Sequence, residues 1–216
     1  MKGNINKLAV FLIIAVLAPF IIAVMASAGS PFPRALQGQY AVAGAGAFLF
    51  APLGFDTNLN AKNAAEGNWI LQTLNTGGVY TFNLDGTGGA AIEARGLVFP
   101  FTAPNPNPPP PRVPFPPGVG KSSIVFSFHY TITDDGKITI TADPGTYVTT
   151  PITGPPMPPI HWDGLKIEGF ISGDGKMIVG NSGPPDIMSI VPPVGPWPPT
   201  SQIISNMSIV MTWRSW

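Results

Sequence analysis

His161-Trp162-Asp163 sets a histidine two residues from a carboxylate. On an extended strand such residues point the same way, so Asp163 could orient His161 as a general base. The alternative is a loop-to-strand junction in which both side chains serve the nearby backbone. The other histidine, His129, lies between Ser127 and Thr131 on the polar face of an alternating run and reads as an exposed sheet position. Neither histidine has a partner at metal-ligand spacing, so no zinc site is expected.

The carboxylates read as structural. Asp134, Asp135, Asp143 and Asp174 lie in or near turns, where Asp bonds its local backbone. Asp85-Gly86 and Asp174-Gly175 are too short for a calcium loop. Glu93 beside Arg95, and Glu168 beside Lys166, read as surface charges. The Ala/Gly run at 43–47 has no Lys and precedes no helix, so it is no phosphate loop. The chain has no cysteine, which removes thiolate nucleophiles, disulfides and cysteine metal sites. No catalytic residue and no cofactor is assigned.

The elements that would carry these groups are strands. Three segments, 79–88, 130–140 and 169–179, run alternating apolar and polar residues into Asp-Gly and out again. Asp and Gly tolerate positive φ, which points to tight primed hairpin turns. The strand reading is 39–50, 68–74, 79–84, 88–94, 122–133, 137–142, 164–171, 176–180 and 202–213, with a short helical turn within 58–68. Alternation is cleanest where Ile124, Phe126, Phe128, Tyr130 and Ile132 share one face. If 75–78 is a bulge within one long strand, nine runs become eight. The fold class is all-β, an antiparallel up-and-down barrel of eight or nine strands.

Proline marks the connections. Ten prolines fall in 100–117, five in 151–159 and seven in 184–199. Proline cannot donate to a sheet ladder, so all three clusters read as loops. In strict up-and-down order every Asp-Gly turn lies at one end and every Pro-rich loop at the other. Aromatics are set among those loops. The candidate ligand-binding residues are Phe101, Phe115, His161, Trp162 and Trp197. Stiff loops cost less entropy to order on a ligand. The plainer reading is that proline stiffens exported loops against proteolysis.

Residues 1–28 have Lys2 and Lys7, an apolar stretch at 8–25 and Ala26-Ser27-Ala28, the pattern of a cleaved secretory signal. The expectation is an exported, periplasmic or extracellular domain at 29–216 with no membrane span. Without Lys2 and Lys7, nine basic residues face 11 acidic ones. No basic patch exists to neutralise phosphates, so nucleic acid is not an expected partner.

Tyr-Thr-Phe followed by Asp-Gly-Thr-Gly, and the closing hairpin at 169–179, resemble the small secreted bacterial barrels of lipocalin-like (calycin) or allene-oxide-cyclase-like type. The resemblance covers roughly 37–214. Gly38-Gln39-Tyr40 opens the first strand where lipocalins have Gly-x-Trp, and Arg214 follows the last strand. The likeness implies an Arg214 guanidinium stacked on Tyr40 at one barrel end. It also implies a lumen that takes a small apolar ligand, or one that holds a cyclase or isomerase site. An inward set with one phenol (Tyr130) and no charge favours a binder of an apolar molecule or protein, or a filled core. A purely structural envelope protein remains the third reading.

Overall fold

The computed structural model describes residues 32–62, 69–101, 118–153, 158–182, 186–191 and 200–215, without the side chains of Pro100, Phe101 and Asp186. The signal-peptide reading at 1–28 lies outside them. Eleven antiparallel strands form one sheet: β1 Gly38–Ala51, β2 Trp69–Phe82, β3 Thr87–Phe101, β4 Gly118–Ile132, β5 Lys137–Ala142, β6 Tyr147–Pro151, β7 Ile160–Asp163, β8 Lys166–Ile171, β9 Met177–Asn181, β10 Asp186–Ile190 and β11 Gln202–Trp213. No described residue is helical.

The sheet closes on itself. Strands β1-β2-β3-β4-β5-β8-β9-β11 run in order, and β11 pairs with β1 from Tyr40↔Trp213 to Ala51↔Gln202. Eight strands therefore make a ring. A second course closes the same ring at its other end: β4 pairs with β6, β6 with β7, β7 with β10 and β10 with β11. Strands β5 and β6 are thus two halves of one course, as are β8 and β7, and β9 and β10.

The halves are separated by bulges. Between Phe128↔Ala142 and Val125↔Val148, β4 advances three residues while its partner advances six. The three surplus residues fall within Asp143-Pro144-Gly145-Thr146, where Gly145 has φ 73°. A left-handed residue there costs a glycine little and would strain any other. Thr146 Oγ1 fastens this bulge to β4 by accepting from Ser127 N–H at 3.2 Å. At the β9–β10 break, Ser182 Oγ accepts from Met207 N–H at 2.9 Å and so replaces a ladder partner.

Several expectations are corrected. The two expected runs join in one strand, Trp69–Phe82, with continuous register to β1, so 75–78 is neither turn nor bulge. Strands β6, β7 and β10 were hidden in the proline clusters. Proline ends β6 at Pro151 and precedes β7 at Pro159, positions where a missing N–H costs no central ladder bond. The third cluster is divided by β10, which begins directly after Pro184-Pro185 in the sequence. The described part of 58–68 is a turn, not helix: Asp56 Oδ1 accepts from Asn58 and Asn60 N–H.

The Asp-Gly turns also differ from expectation. Gly86, Gly136 and Gly175 have φ of 84°, 81° and 71°, while no Asp has positive φ. Gly86 N–H donates to Asn83 C=O and Asn83 N–H to Thr87 C=O, with the same pattern at Thr133, Gly136 and Lys137. These are longer loops closed by a left-handed glycine, not two-residue primed turns. Asp serves as an acceptor instead. Asp85 Oδ1 takes Thr87 N–H at 3.0 Å, and Asp174 Oδ1 takes Lys176 N–H at 3.1 Å.

Candidate functional site

Every strand end joined by 102–117, 152–159 and 192–199 lies at one end of the ring, as does the β1–β2 connection. The chain of pairs Phe101↔Trp69, Ile70↔Phe50 and Ala51↔Gln202 links β3, β2, β1 and β11 there, and Ser122↔Pro151 links β4 to β6. The Asp-Gly turns lie at the opposite end.

The two ends differ inside. The inward face of β4 explains why. From its start it reads Gly118, Gly120, Ser122, Ile124, Phe126, Phe128, Tyr130. Side chains grow along the strand, so the Asp-Gly end is filled and the Pro-rich end is not. At the filled end Phe82 meets Tyr40 at 5.1 Å, Phe128 at 5.2 Å and Tyr130 at 5.1 Å between ring centroids, all edge to face. Gly88 lies beneath Phe128: a Cβ built there would sit 2.3 Å from the ring. Residues 32–36 close this end. Leu36 is buried, and Leu36 N–H donates to Tyr130 Oη at 2.8 Å.

Toward the Pro-rich end a cavity of about 180 Å³ opens. Its walls are apolar, with Phe48, Phe50, Ile70, Ile160, Trp162 and Met188 prominent. Trp162 is 5% exposed and meets Phe50 edge to face at 6.2 Å. Tyr147 lines the cavity and stacks on Phe126 at 5.1 Å, which makes it the floor between void and packed core. Gln72, Ser122 and Thr149 add neutral polar groups. Lys121 also borders the cavity, but its ammonium is held by Glu93 at 3.2 Å on the outer face. No charged side chain is buried among the described residues.

Burial holds the Tyr147 phenol well above its ordinary value. Tyr80 is raised chiefly by its own burial and further by the neighbouring Tyr147. Both are therefore neutral hydrogen-bond donors across the physiological range.

The candidate residues separate. Trp162 is in the cavity wall. His161, its neighbour on β7, faces the other way and is not brought to the cavity. His161 Nδ1 lies 3.3 Å from Gly145 C=O, and Asp163 Oδ1 accepts from Gly145 N–H. The two side chains grip both polar groups of the glycine at the β5–β6 bulge, which is the junction role rather than a base and its orienter. Phe101 ends β3, its side chain outside the described residues; Phe115 and Trp197 lie outside them altogether. His129 is exposed, with Nδ1 3.1 Å from Asp143. Arg214 follows β11 with an exposed side chain, and Arg214 N–H donates to Gln39 C=O at 2.9 Å. Tyr40 is packed against Phe82, and Tyr40 Oη donates to Gly175 C=O at 2.6 Å.

Sequence reasoning missed Tyr147, Gln72 and Thr149. Tyr147 and Thr149 belong to β6, which the proline clusters obscured. The signal for the cavity was present in the alternate residues Gly118, Gly120 and Ser122, which are too small to fill a ring that Phe126 and Phe128 fill further along.

The chain matches no protein-family model and no curated protein.

Proposed function

We propose that this is an exported, non-enzymatic β-barrel protein of lipocalin-like design that binds a small apolar molecule in the cavity toward its Pro-rich end. The observation that carries the reading is the division of the interior. One half is packed with aromatic rings, and the other leaves about 180 Å³ walled by Phe48, Phe50, Ile70, Ile160, Trp162 and Met188. An engineered apolar cavity of about 150 Å³ stays dry and takes up benzene, so a void of this size suits a single ring or a short chain. It is smaller than the ~300–1,000 Å³ of sites for drug-sized ligands. The absence of buried charge among the described residues favours a binder over a lumenal cyclase or isomerase. Export rests on the pattern in 1–28, with Gly29 as the expected mature N-terminus.

The test is titration of the mature protein with isopropylbenzene, followed by tryptophan emission and by melting temperature. A saturable change in emission that disappears in Trp162→Phe, with a rise in melting temperature, is the expected result. A melting temperature and emission indifferent to isopropylbenzene and to comparable single-ring probes would reject the proposal.

A further inference from the structure

The cavity floor carries a hydroxyl that nothing among the described residues bonds. Tyr147 is 7% exposed, and among the described residues its Oη has no hydrogen-bond partner. Buried phenols ordinarily find one. Two of the other three tyrosines show the contrast; Tyr80, which is fully buried and does not line the cavity, also lacks a partner among the described residues. Tyr40 Oη is 2.6 Å from Gly175 C=O, and Tyr130 Oη is 2.7 Å from Asn83 C=O. Tyr147 Oη is not sealed in either: Ser205 Oγ is the enclosed side-chain polar atom that lacks a partner among the described residues. What access Tyr147 Oη has is therefore toward the cavity its side chain lines. Thr149, next on the same inward face of β6, also lines the cavity, as does the Gln72 amide from β2. Neither side chain has a hydrogen bond among the described residues. The Tyr147 and Thr149 hydroxyls and the Gln72 amide thus line a void that is otherwise mostly apolar, with Ser122 beside them, and none of the three has a hydrogen-bond partner among the described residues.

We infer that the ligand is a compact apolar molecule bearing one neutral oxygen acceptor, a carbonyl or ether, which receives a hydrogen bond from Tyr147 Oη. This rests on the proposed binding function and narrows its ligand class. A carboxylate is disfavoured. It would enter a largely apolar void with no unpaired cation among the described residues that line it, since the Lys121 ammonium is held by Glu93 at 3.2 Å. A bare hydrocarbon would fill the space but leave the phenol unmet. A ketone satisfies the phenol and costs no charge desolvation.

The experiment compares acetophenone, its near-isostere isopropylbenzene, and benzoate, each titrated into the mature protein and into Tyr147→Phe. Phe keeps the ring and its stacking on Phe126 and removes only a hydroxyl that has no partner among the described residues. The variant is therefore expected to fold with undiminished stability, which a melting curve checks. Tyr147→Phe should weaken acetophenone about 5- to 10-fold, the worth of one hydrogen bond. It should leave isopropylbenzene within about twofold of wild type, and benzoate should bind weakest. Equal losses for acetophenone and isopropylbenzene, or none for either, would overturn the inference while leaving the cavity a binding site. Tighter binding of benzoate than of acetophenone would overturn the ligand class. If neither neutral probe binds wild type, the proposed function itself fails. Thr149→Val is the second variant. A further loss for acetophenone alone places the oxygen between the two hydroxyls; a loss for both neutral probes makes Thr149 a packing contact and counts against convergence.

Discussion

Tyr130 and Leu36 are 94 positions apart, yet Leu36 N–H donates to Tyr130 Oη at 2.8 Å. The phenol proton has the carbonyls of Asn83 at 2.7 Å and Leu36 at 3.0 Å within reach. One hydroxyl thereby ties the segment before β1 to the β2–β3 turn and closes the filled end of the ring. Tyr130→Phe should cost about 1–3 kcal/mol, because it leaves a buried N–H and a carbonyl unmet rather than simply removing a bond. Urea unfolding at neutral pH measures this. A variant as stable as wild type would mean that the closure contributes nothing.

All four tyrosines of the chain have phenols raised above the ordinary value, each chiefly by burial. Tyr40 is pushed up to about 12. A raised folded value means stability fully present below the unfolded value of about 10 and lost as pH climbs through the folded one. Above about pH 10 the unfolded chain releases phenolic protons that the folded protein retains, so alkali favours unfolding. Tyrosinate absorbance should therefore stay low near pH 10 and then rise together with the loss of far-UV strand signal. A smooth, early titration of even one tyrosine in folded protein would contradict this burial.

At the acid side the sign reverses. Asp85, Asp135 and Asp174 are held below the usual range, first by the side-chain hydroxyls of Thr87, Thr133 and Ser172 respectively, then by backbone N–H groups. Glu93 is lowered chiefly by Lys121, and Glu168 by Lys166. Depressed values give stability present above about pH 4 and lost as pH falls through the folded values. The denaturation midpoint should be flat from neutrality to about pH 5 and then decline. Because these groups are exposed, the decline should be shallow, and Asp85→Asn with Asp174→Asn should flatten it further. A midpoint that fell with the same slope in the double variant would place the acid sensitivity elsewhere.

The strands of the ring were legible where alternation is strict. Lys137–Ala142 and Gln202–Trp213 have the bounds read from sequence, and the inward set from Ile124 to Tyr130 is buried. Closure follows from an apolar and a polar face on every long strand, and the common end of the proline loops follows from antiparallel order. Strands β6, β7 and β10 were not legible, because four or five residues carry too little alternation to outweigh flanking prolines. The bulge at Asp143-Pro144-Gly145-Thr146 was equally hidden. It depends on contacts from Ser127, His161 and Asp163 that are distant in sequence. For the same reason the chemistry suggested by His161 and Asp163 proved to be backbone support, while Tyr147 escaped notice.

The graded interior yields a prediction with opposite signs at its two ends. Gly88 and Ser122 both face inward, on β3 and β4, and both are small. At Gly88 an added Cβ would meet the Phe128 ring at 2.3 Å and Thr81 C=O at 2.5 Å. The backbone cannot yield easily, and Phe128 is fully buried. Gly88→Ala should therefore cost about 1–3 kcal/mol, the usual penalty of overpacking. Ser122 lines the cavity, where about 180 Å³ is empty. Ser122→Leu can place its added carbons in that space and remove apolar surface from water, worth up to about 1.5–3 kcal/mol for a whole leucine side chain. Its stability should hold or rise, and binding of isopropylbenzene should fall at least about tenfold, since ligand and leucine compete for one volume. Thermal melts of both variants, with and without the probe, provide the comparison. Two variants destabilised alike would mean that the Pro-rich end is as tightly filled as the aromatic end. Undiminished binding in Ser122→Leu would place any ligand site outside the ring.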